Sequence, residues 1–194
     1  MDPETPPQPA TIVSRAGVDS IIGRSIHLSP MDILILRHGK AEKRETGVDD
    51  AGRLLTSKGG REIRVVSKWM AGCGISPDLI ASSPLKRALE TAEIVAEEIS
   101  QKQEIAVWDV LEPGSDPDAL KERLKGLPDV KMVLLVGHEP HLSQLITCLI
   151  GAGEGTRIEI GKGGMAKIRE FSPNSGSAGI LEWLITQSQI RDMA

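Results

Sequence analysis

From Met31 onward, the chain alternates short apolar runs with longer segments whose apolar residues recur at helical spacing. The runs at 32–36, 79–81 and 132–136 have the length of strands and almost no polar alternation, which is typical of strands that are buried on both faces of a parallel sheet. Helices then have to cover both faces. The alternation therefore predicts an α/β fold, a three-layer α/β/α sandwich with a mostly parallel central sheet.

The intervening segments fit this alternation. Thr56 is the predicted N-cap of a helix over 56–71, and Ser83 and Pro84 are the predicted N-cap and first residue of the next helix. The remaining predicted elements are a strand at 104–111, a short helix at 116–125, a helix opened by Pro140, and strands at 165–171 and 180–185 around a turn region at 174–179.

Residues 1–30 stand apart from this alternation. They begin MDPETPPQPA and show no sustained periodicity, so we expect a flexible N-terminal extension. One domain is then expected over residues 31–194. The alternative is that Met31, which directly precedes the first predicted strand, is the true initiator.

Composition narrows the functional classes. A net charge of −4 argues against general affinity for nucleic acid or anionic membranes, and 2 % aromatic residues offer little surface for stacking on bases. No segment approaches the roughly 20 apolar residues of a membrane helix. The N-terminus lacks the pattern of a secretory signal, so a cytoplasmic protein is expected. Cys73 and Cys148 fall in predicted helices outside any CxxC pair, so we expect buried thiols without a disulfide or zinc knuckle.

Basic side chains collect where the predicted strands end. Arg37 and His38 follow the first strand, Arg87 lies near the start of the helix after the second, and His138 follows the strand at 132–136. In an open α/β sheet, ligands bind beyond the carboxyl ends of the strands, so we expect these four side chains to line one crevice. An anion is the ligand that suits them.

The position of Arg87 gives a second, independent argument. Lys86 and Arg87 lie in the predicted first turn of a helix, where the dipole disfavours each cation by about 0.3–1 kcal/mol. A bound phosphate would offset this cost, because helix N-terminal amides and a guanidinium bind it together. The alternative is a solvated surface arginine.

Three strings in this order resemble the motifs of the histidine phosphatase superfamily. They are Arg37-His38-Gly39 within LRHGKAE, SSPLKRALETAE at 82–93, and VGHEP at 136–140. The short core resembles the SixA-like phosphohistidine phosphatase branch, as do the LT..G segment from Leu55 to Gly59, the EPGSD stretch at 112–116 and the closing EWLIT strand. The resemblance spans residues 31–190 and implies a phosphoglycerate mutase-like fold.

The resemblance also implies roles for the basic residues. His38 is the nucleophile and carries the phosphoryl group, Arg37 and Arg87 bind the phosphoryl oxygens, and His138 donates a further hydrogen bond. Gly39 lets the chain pass close to the phosphate. Neither a cofactor nor a metal is implied, and although His141 follows His138 by three residues, no nearby cysteine or converging carboxylates complete a set of metal ligands.

The resemblance leaves open which residue acts as the general acid. Larger relatives place a carboxylate after the third strand, where this chain has Glu112 and Asp116, whereas SixA-like members can lack an equivalent. Glu112 could instead only cap a loop. Mutases of the superfamily have a longer chain, with polar Ser/Thr and Asn residues after the RHG string. Here Lys40, Ala41 and Glu42 follow that string. This departure favours a phosphatase.

The substrate implied by the resemblance is phosphohistidine on a partner protein, with a role in signal transduction. One alternative is a phosphatase or mutase for a small phosphorylated metabolite. Another, from a different class, is a catalytically silent domain that binds phosphorylated partners. The sequence leaves the partner protein and the oligomeric state open.

Overall fold

The computed structural model describes residues 30–43, 49–100, 104–127, 130–153, 155–173 and 178–194. Except for Pro30, the predicted N-terminal extension lies outside the described residues. The first four residues of the predicted turn region, 174–177, do so too.

A six-stranded sheet forms the centre of the molecule, with the strand order β3-β2-β4-β1-β5-β6. Strands β1 to β4 run parallel to one another, and β5 is antiparallel to both β1 and β6. Only β5 is therefore reversed, and the predicted mostly parallel sheet is confirmed. The strands are β1 (Met31–Arg37), β2 (Leu79–Ser82), β3 (Ala106–Val107), β4 (Met132–Gly137), β5 (Met165–Phe171) and β6 (Ile180–Ile185).

Helices cover both faces of this sheet, as the alternation of the sequence predicts. Along β1, Leu34 and Leu36 pack in one core with α1, α2 and α5, while Ile33 and Ile35 pack in a second core with α3 and α4. The three-layer α/β/α architecture is confirmed. The helices are α1 (Ser57–Gly72), α2 (Lys86–Glu98), α3 (Pro117–Lys125), α4 (His141–Leu149) and α5 (Gln187–Met193).

Helix α1 begins where the sequence predicts and packs closely on the chain that leaves β1. The Thr56 hydroxyl caps the helix by accepting from the Gly59 amide at 3.0 Å. A Cβ atom at Gly59 would lie 2.1 Å from the Lys40 carbonyl oxygen, so only glycine permits this approach. The start of α1 thereby holds the backbone just after His38.

Helix α2 begins later than predicted, at Lys86, with Leu85 as its N-cap. Ser83 does not cap this helix, because its hydroxyl accepts from the Leu85 amide in the preceding turn, at 3.3 Å, and also contacts a histidine. Arg87 remains in the first turn of the helix, as predicted.

The third strand is shorter than the predicted 104–111. Only Ala106–Val107 pair with β2, at the edge of the sheet. The chain then turns into a 3-10 helix at Asp109–Leu111, which buries Trp108 and Leu111 in the core. Burial of these two side chains takes the backbone away from the sheet edge.

Other differences concern the C-terminus and the cysteines. Helix α5 was not predicted from the sequence, although Thr186 and Gln189 form a capping box at its start. The expected burial of both cysteines is wrong: Cys73 is exposed just after α1, and Cys148 is partly exposed in α4. Both thiols are free.

Candidate active site

The ends of β1 and β4 place the two motif histidines side by side. Arg37 pairs with Gly137 in the parallel ladder, and the His38 amide donates to the Gly137 carbonyl oxygen at 3.1 Å. His138 directly follows that glycine. The imidazole rings of His38 and His138 consequently lie with their centroids 4.9 Å apart.

The His38 ring is held in the form that a nucleophile requires. Its Nδ1 lies 2.8 Å from the Gly39 carbonyl oxygen, so Nδ1 carries the proton and Nε2 keeps its lone pair. Burial and, to a smaller extent, the nearby charges of Arg87, Arg37 and Lys162 lower the pKa of His38 to about 4, against the opposing effect of the Gly39 carbonyl. The imidazole is therefore neutral at pH 7.

His138 is also buried and neutral. Burial, together with the neighbouring His38 and Arg87, lowers its pKa to about 3. Its Nε2 lies 2.8 Å from the Ser83 hydroxyl, which accepts from the Leu85 amide and can donate its own hydrogen to Nε2. In this tautomer, Nδ1 of His138 carries the proton and acts as a donor.

Arg87 is 3 % exposed, so its interpretation as a solvated surface arginine is wrong. The guanidinium is held from one side by Asp50, with Nη1 donating to the Asp50 carbonyl oxygen at 2.8 Å and Nη2 to its carboxylate at 3.0 Å. Asp50 lies in a 3-10 helix at Asp50–Gly52, and its carboxylate also binds Arg53. The Nε atom of Arg87 is buried and makes no hydrogen bond within the described residues.

Arg37 is held in a similar way. It is partly buried at the end of β1, and its Nη1 donates to the Ile160 carbonyl oxygen at 2.8 Å. Its Nε is buried. As in Arg87, one end of the guanidinium is bound to a protein oxygen and the Nε edge is not.

Three donors of this cluster are buried without an acceptor in the described part of the chain: Arg37 Nε, Arg87 Nε and His138 Nδ1. Each buried donor left in this state costs about 1–3 kcal/mol. Both arginines act electrostatically on His38, whose ring lies against that of His138, so the four side chains form one cluster. A tetrahedral oxyanion has enough acceptors for the three donors at once. The arrangement can bind a phosphoryl group next to the free Nε2 of His38.

The packing of α1 explains why residue 39 is a glycine, which the sequence alone does not show. A Cβ atom there would lie 2.7 Å from Cγ1 of Ile63 and 3.2 Å from the Gly59 carbonyl oxygen, so α1 leaves no room for a side chain. The Gly39 amide donates to the Thr91 hydroxyl at 3.2 Å. Glycine at this position therefore lets α1 approach the strand end.

The two candidate acids lie on the loop between β3 and α3. Glu112 is half-buried just after the 3-10 helix, and its carboxylate makes no hydrogen bond or ion pair within the described residues. The Asp116 carboxylate accepts from the Asp118 amide at 2.9 Å and so caps α3. Of the two, Glu112 has the carboxylate without a structural partner.

His141 lies beside this same loop. Its ring is fully buried at the start of α4, and burial lowers its pKa, although interactions with the backbone of Ser115 and Val110 oppose the shift. Among the described residues, no group of three or more histidine, cysteine or acidic side chains is arranged to hold a metal ion. Within the same residues, no helix is both long and apolar enough to cross a membrane.

Four further residues around the cluster were missed by sequence reasoning: Asp50, Ser83 as a partner of His138, Glu139 and Lys162. Lys162 lies in a tight turn whose Gly163 amide donates to the Arg37 carbonyl oxygen at 3.1 Å, and Gly163 has a φ of +69°. The GKGG string could have indicated such a turn. The other three depend on contacts between distant segments, for which the sequence alone gives no signal.

Comparison with known proteins gives consistent matches. The family model described as "Histidine phosphatase superfamily (branch 1)" matches residues 33–112. An uncharacterised protein of Picosynechococcus sp. is 32 % identical over 154 residues, which cover 77 % of this chain and 88 % of the relative. Phosphohistidine phosphatase SixA of Escherichia coli is 29 % identical over 118 residues, 60 % of this chain and 72 % of the relative. The structure of the protein histidine phosphatase SixA complexed with tungstate matches with a TM-score of 0.74 at 25 % identity, covering 82 % of this chain and 99 % of that one.

Proposed function

The chain belongs to the histidine phosphatase superfamily and to its SixA-like branch, and on this premise we propose that it hydrolyses phosphohistidine on a partner protein through a covalent phospho-His38 intermediate. Membership of the family supports phosphatase activity. The substrate, the covalent step and independence from metal ions are the proposal. Its main support is the neutral His38 imidazole beside three buried donors that lack protein acceptors.

The first step is attack by His38 Nε2 on the phosphorus atom. The bond between phosphorus and the substrate nitrogen breaks, and the substrate imidazole leaves as a neutral ring because its other nitrogen already carries a proton. His38 becomes positively charged as the new bond forms, and the Gly39 carbonyl oxygen at Nδ1 stabilises this charge. Water then attacks the phosphorus of phospho-His38, and orthophosphate leaves while the neutral imidazole is restored.

Arg37, Arg87 and His138 stabilise the charge on the transferring phosphoryl group. Their donors are fixed before the reaction because each side chain is anchored at its other end, to Ile160, Asp50 and Ser83 respectively. One such preorganised donor typically contributes about 2.7–4 kcal/mol to catalysis. This set supplies positive charge that a bound cation supplies in other phosphoryl-transfer sites, which supports metal-independent catalysis.

A phosphorylated imidazole is the substrate that best suits this site. Its imidazole is a good leaving group and needs little protonation, so the reaction does not require a strong general acid. The SixA relative is named a phosphohistidine phosphatase. A catalytically silent binding domain is not favoured, because such a domain has no need of a neutral histidine with a free Nε2.

One observation favours a second candidate, a phosphomonoesterase for a small substrate. The half-buried Glu112 carboxylate has no partner within the described residues, as expected of an acid kept available for a poorer leaving group. The same residue can simply belong to a loop. The two candidates therefore differ in whether Glu112 takes part in the reaction.

The test is a turnover assay on the purified full chain with a phosphohistidine-bearing carrier protein and with a panel of small phosphomonoesters, in the presence of EDTA. We expect release of phosphate from the carrier at a kcat/KM well above that for any ester. Higher activity on one ester would establish the second candidate. Activity that EDTA abolishes and a divalent metal restores would contradict the proposed donor set.

A further inference from the structure

We propose that Glu139 is a positioning residue for Arg37 and acts through the backbone of Ile160. This inference rests on the phosphate-binding role of Arg37 in the proposed function. Glu139 directly follows His138 within the VGHEP string, and the sequence analysis gives it no role.

The three residues are connected by hydrogen bonds on both sides of Ile160. The Ile160 amide donates to Glu139 Oε1 at 3.0 Å, and the Ile160 carbonyl oxygen accepts from Arg37 Nη1 at 2.8 Å. The second oxygen of the carboxylate, Oε2, accepts from the Ser143 hydroxyl at 2.6 Å. Glu139 therefore joins the start of α4 to the segment that holds the Arg37 guanidinium.

Arg37 needs such a tether more than Arg87 does. Arg87 is almost completely buried and makes two hydrogen bonds to Asp50, whereas Arg37 is partly exposed and makes a single side-chain hydrogen bond within the described residues. Arg37 also borders a surface cavity of about 520 Å³. On that side the Arg37 side chain faces open space, and holding a long side chain in one rotamer costs conformational entropy.

The segment that carries Ile160 has no regular structure to fix its backbone. Residues 157–161 belong to neither a helix nor a strand, so no sheet ladder holds the Ile160 amide and carbonyl. The buried Ile160 side chain anchors one side of this residue in the core. Glu139 fixes the direction of the backbone, and thereby the position of the oxygen that Arg37 binds.

The experiment compares Glu139→Ala with Glu139→Gln and with Glu159→Ala. Glutamine keeps an oxygen for the Ile160 amide but loses the charge. Glu159 is exposed, borders the same cavity and accepts no hydrogen bond within the described residues, so it controls for the loss of a negative charge. We expect Glu139→Ala to lower kcat by about ten-fold, as a misplaced clamp does, and both other variants to stay within about two-fold of native.

A double-mutant cycle separates positioning from general stability. In an Arg37→Ala background, Glu139→Ala should have almost no further effect on turnover, because the guanidinium that it positions is gone. An equal loss in both backgrounds would overturn the inference and indicate a folding defect, which the melting temperature would also show. Unchanged turnover in Glu139→Ala would overturn it as well.

Tungstate binding, measured by calorimetry, keeps this test independent of the substrate. Glu139→Ala should weaken tungstate binding in the native background and not in Arg37→Ala. If this pattern appears while no phosphohistidine is hydrolysed, the proposed substrate fails and the positioning role stands. If Arg37→Ala binds tungstate as well as the native protein, the phosphate-binding role of Arg37 fails, and this inference with it.

Discussion

The ends of β1 and β4 and the loop from Trp108 to Asp116 both supply candidate catalytic groups, but they are built differently. At the strand ends, adjacent parallel strands fix the backbone, and every polar side chain is anchored by a protein oxygen. In the loop, an edge strand of two residues gives way to a 3-10 turn, and the Glu112 carboxylate has no anchor within the described residues. Preorganisation for phosphoryl transfer is therefore concentrated at the strand ends.

The largest expected effect comes from the nucleophile. His38→Ala should abolish turnover and the phosphoryl-enzyme, because no other side chain with a free imidazole nitrogen lies in the same position. The measurement is brief incubation with a labelled phosphodonor, followed by rapid quenching and mapping of an acid-labile, base-stable label. Label on His138 in the native protein, or full activity in the alanine variant, would show that the strand-end region is wrongly assigned.

The anchored donors come next. Arg87→Ala and His138→Ala each remove one transition-state contact and keep the nucleophile, so each should slow turnover by about 100-fold or more while slow labelling of His38 continues. Combined with His38→Ala, neither should cost much further activity. The measurement is the single-turnover rate of the two single variants and of the two double variants. If the rate loss of each double variant equals the product of its two single losses, the residues do not act as one unit.

Sequence reasoning located the strand-end region because two local rules suffice there. A buried strand is recognisable from its composition, and the carboxyl ends of parallel strands meet at one edge, so Arg37, His38 and His138 could be placed together without a structure. The anchors Asp50 and Ser83 could not be found in this way. Each contact joins segments that are far apart in the chain, 37 residues for Asp50 and Arg87 and 55 residues for Ser83 and His138.

In the loop from Trp108 to Asp116, by contrast, the local sequence pattern gave the wrong element length. The pattern at 104–111 indicated a strand, but pairing at a sheet edge competes with burial of Trp108 and Leu111, and burial prevails. The start of α5 differs from both cases, because the residues of its capping box, Thr186 and Gln189, can be recognised in the sequence without any tertiary contact. Local patterns therefore identify elements, and tertiary competition decides their length.

The strand-end histidines should also give stability a pH dependence of definite sign. Burial lowers the pKa of His38 to about 4 and that of His138 to about 3, so below the ordinary value near 6.5 the unfolded chain binds protons that the folded protein does not. Stability should therefore fall as the pH falls from about 6.5 towards 4, by on the order of 1–2 kcal/mol per histidine at pH 5. Denaturant unfolding of the native protein and His138→Gln between pH 5 and 8 tests this.

The replacement of His138 should make the pH dependence shallower, since glutamine does not titrate. An equal slope in both proteins would mean that other groups cause the acid loss. Above pH 5, catalysis should show no acidic limb from His38, because its imidazole is already neutral there. A kcat/KM profile that falls with a midpoint near 6.5 would contradict the buried, neutral nucleophile.

The smallest effect is expected in the loop. Glu112→Gln keeps the size of the side chain and removes its proton-donating ability, and Asp116→Asn is the matched control because asparagine can still cap α3. With phosphohistidine as substrate, Glu112→Gln should change kcat by less than about three-fold, since imidazole is a good leaving group and general acid catalysis, typically worth 10²–10⁴-fold, is not needed. With a phosphomonoester whose leaving group is an alkoxide, the same substitution should cost far more if Glu112 is the acid. Equal small losses on both substrates would mean that Glu112 has no role in catalysis. A large loss on phosphohistidine would mean that the unanchored loop contributes to catalysis as much as the anchored strand ends do.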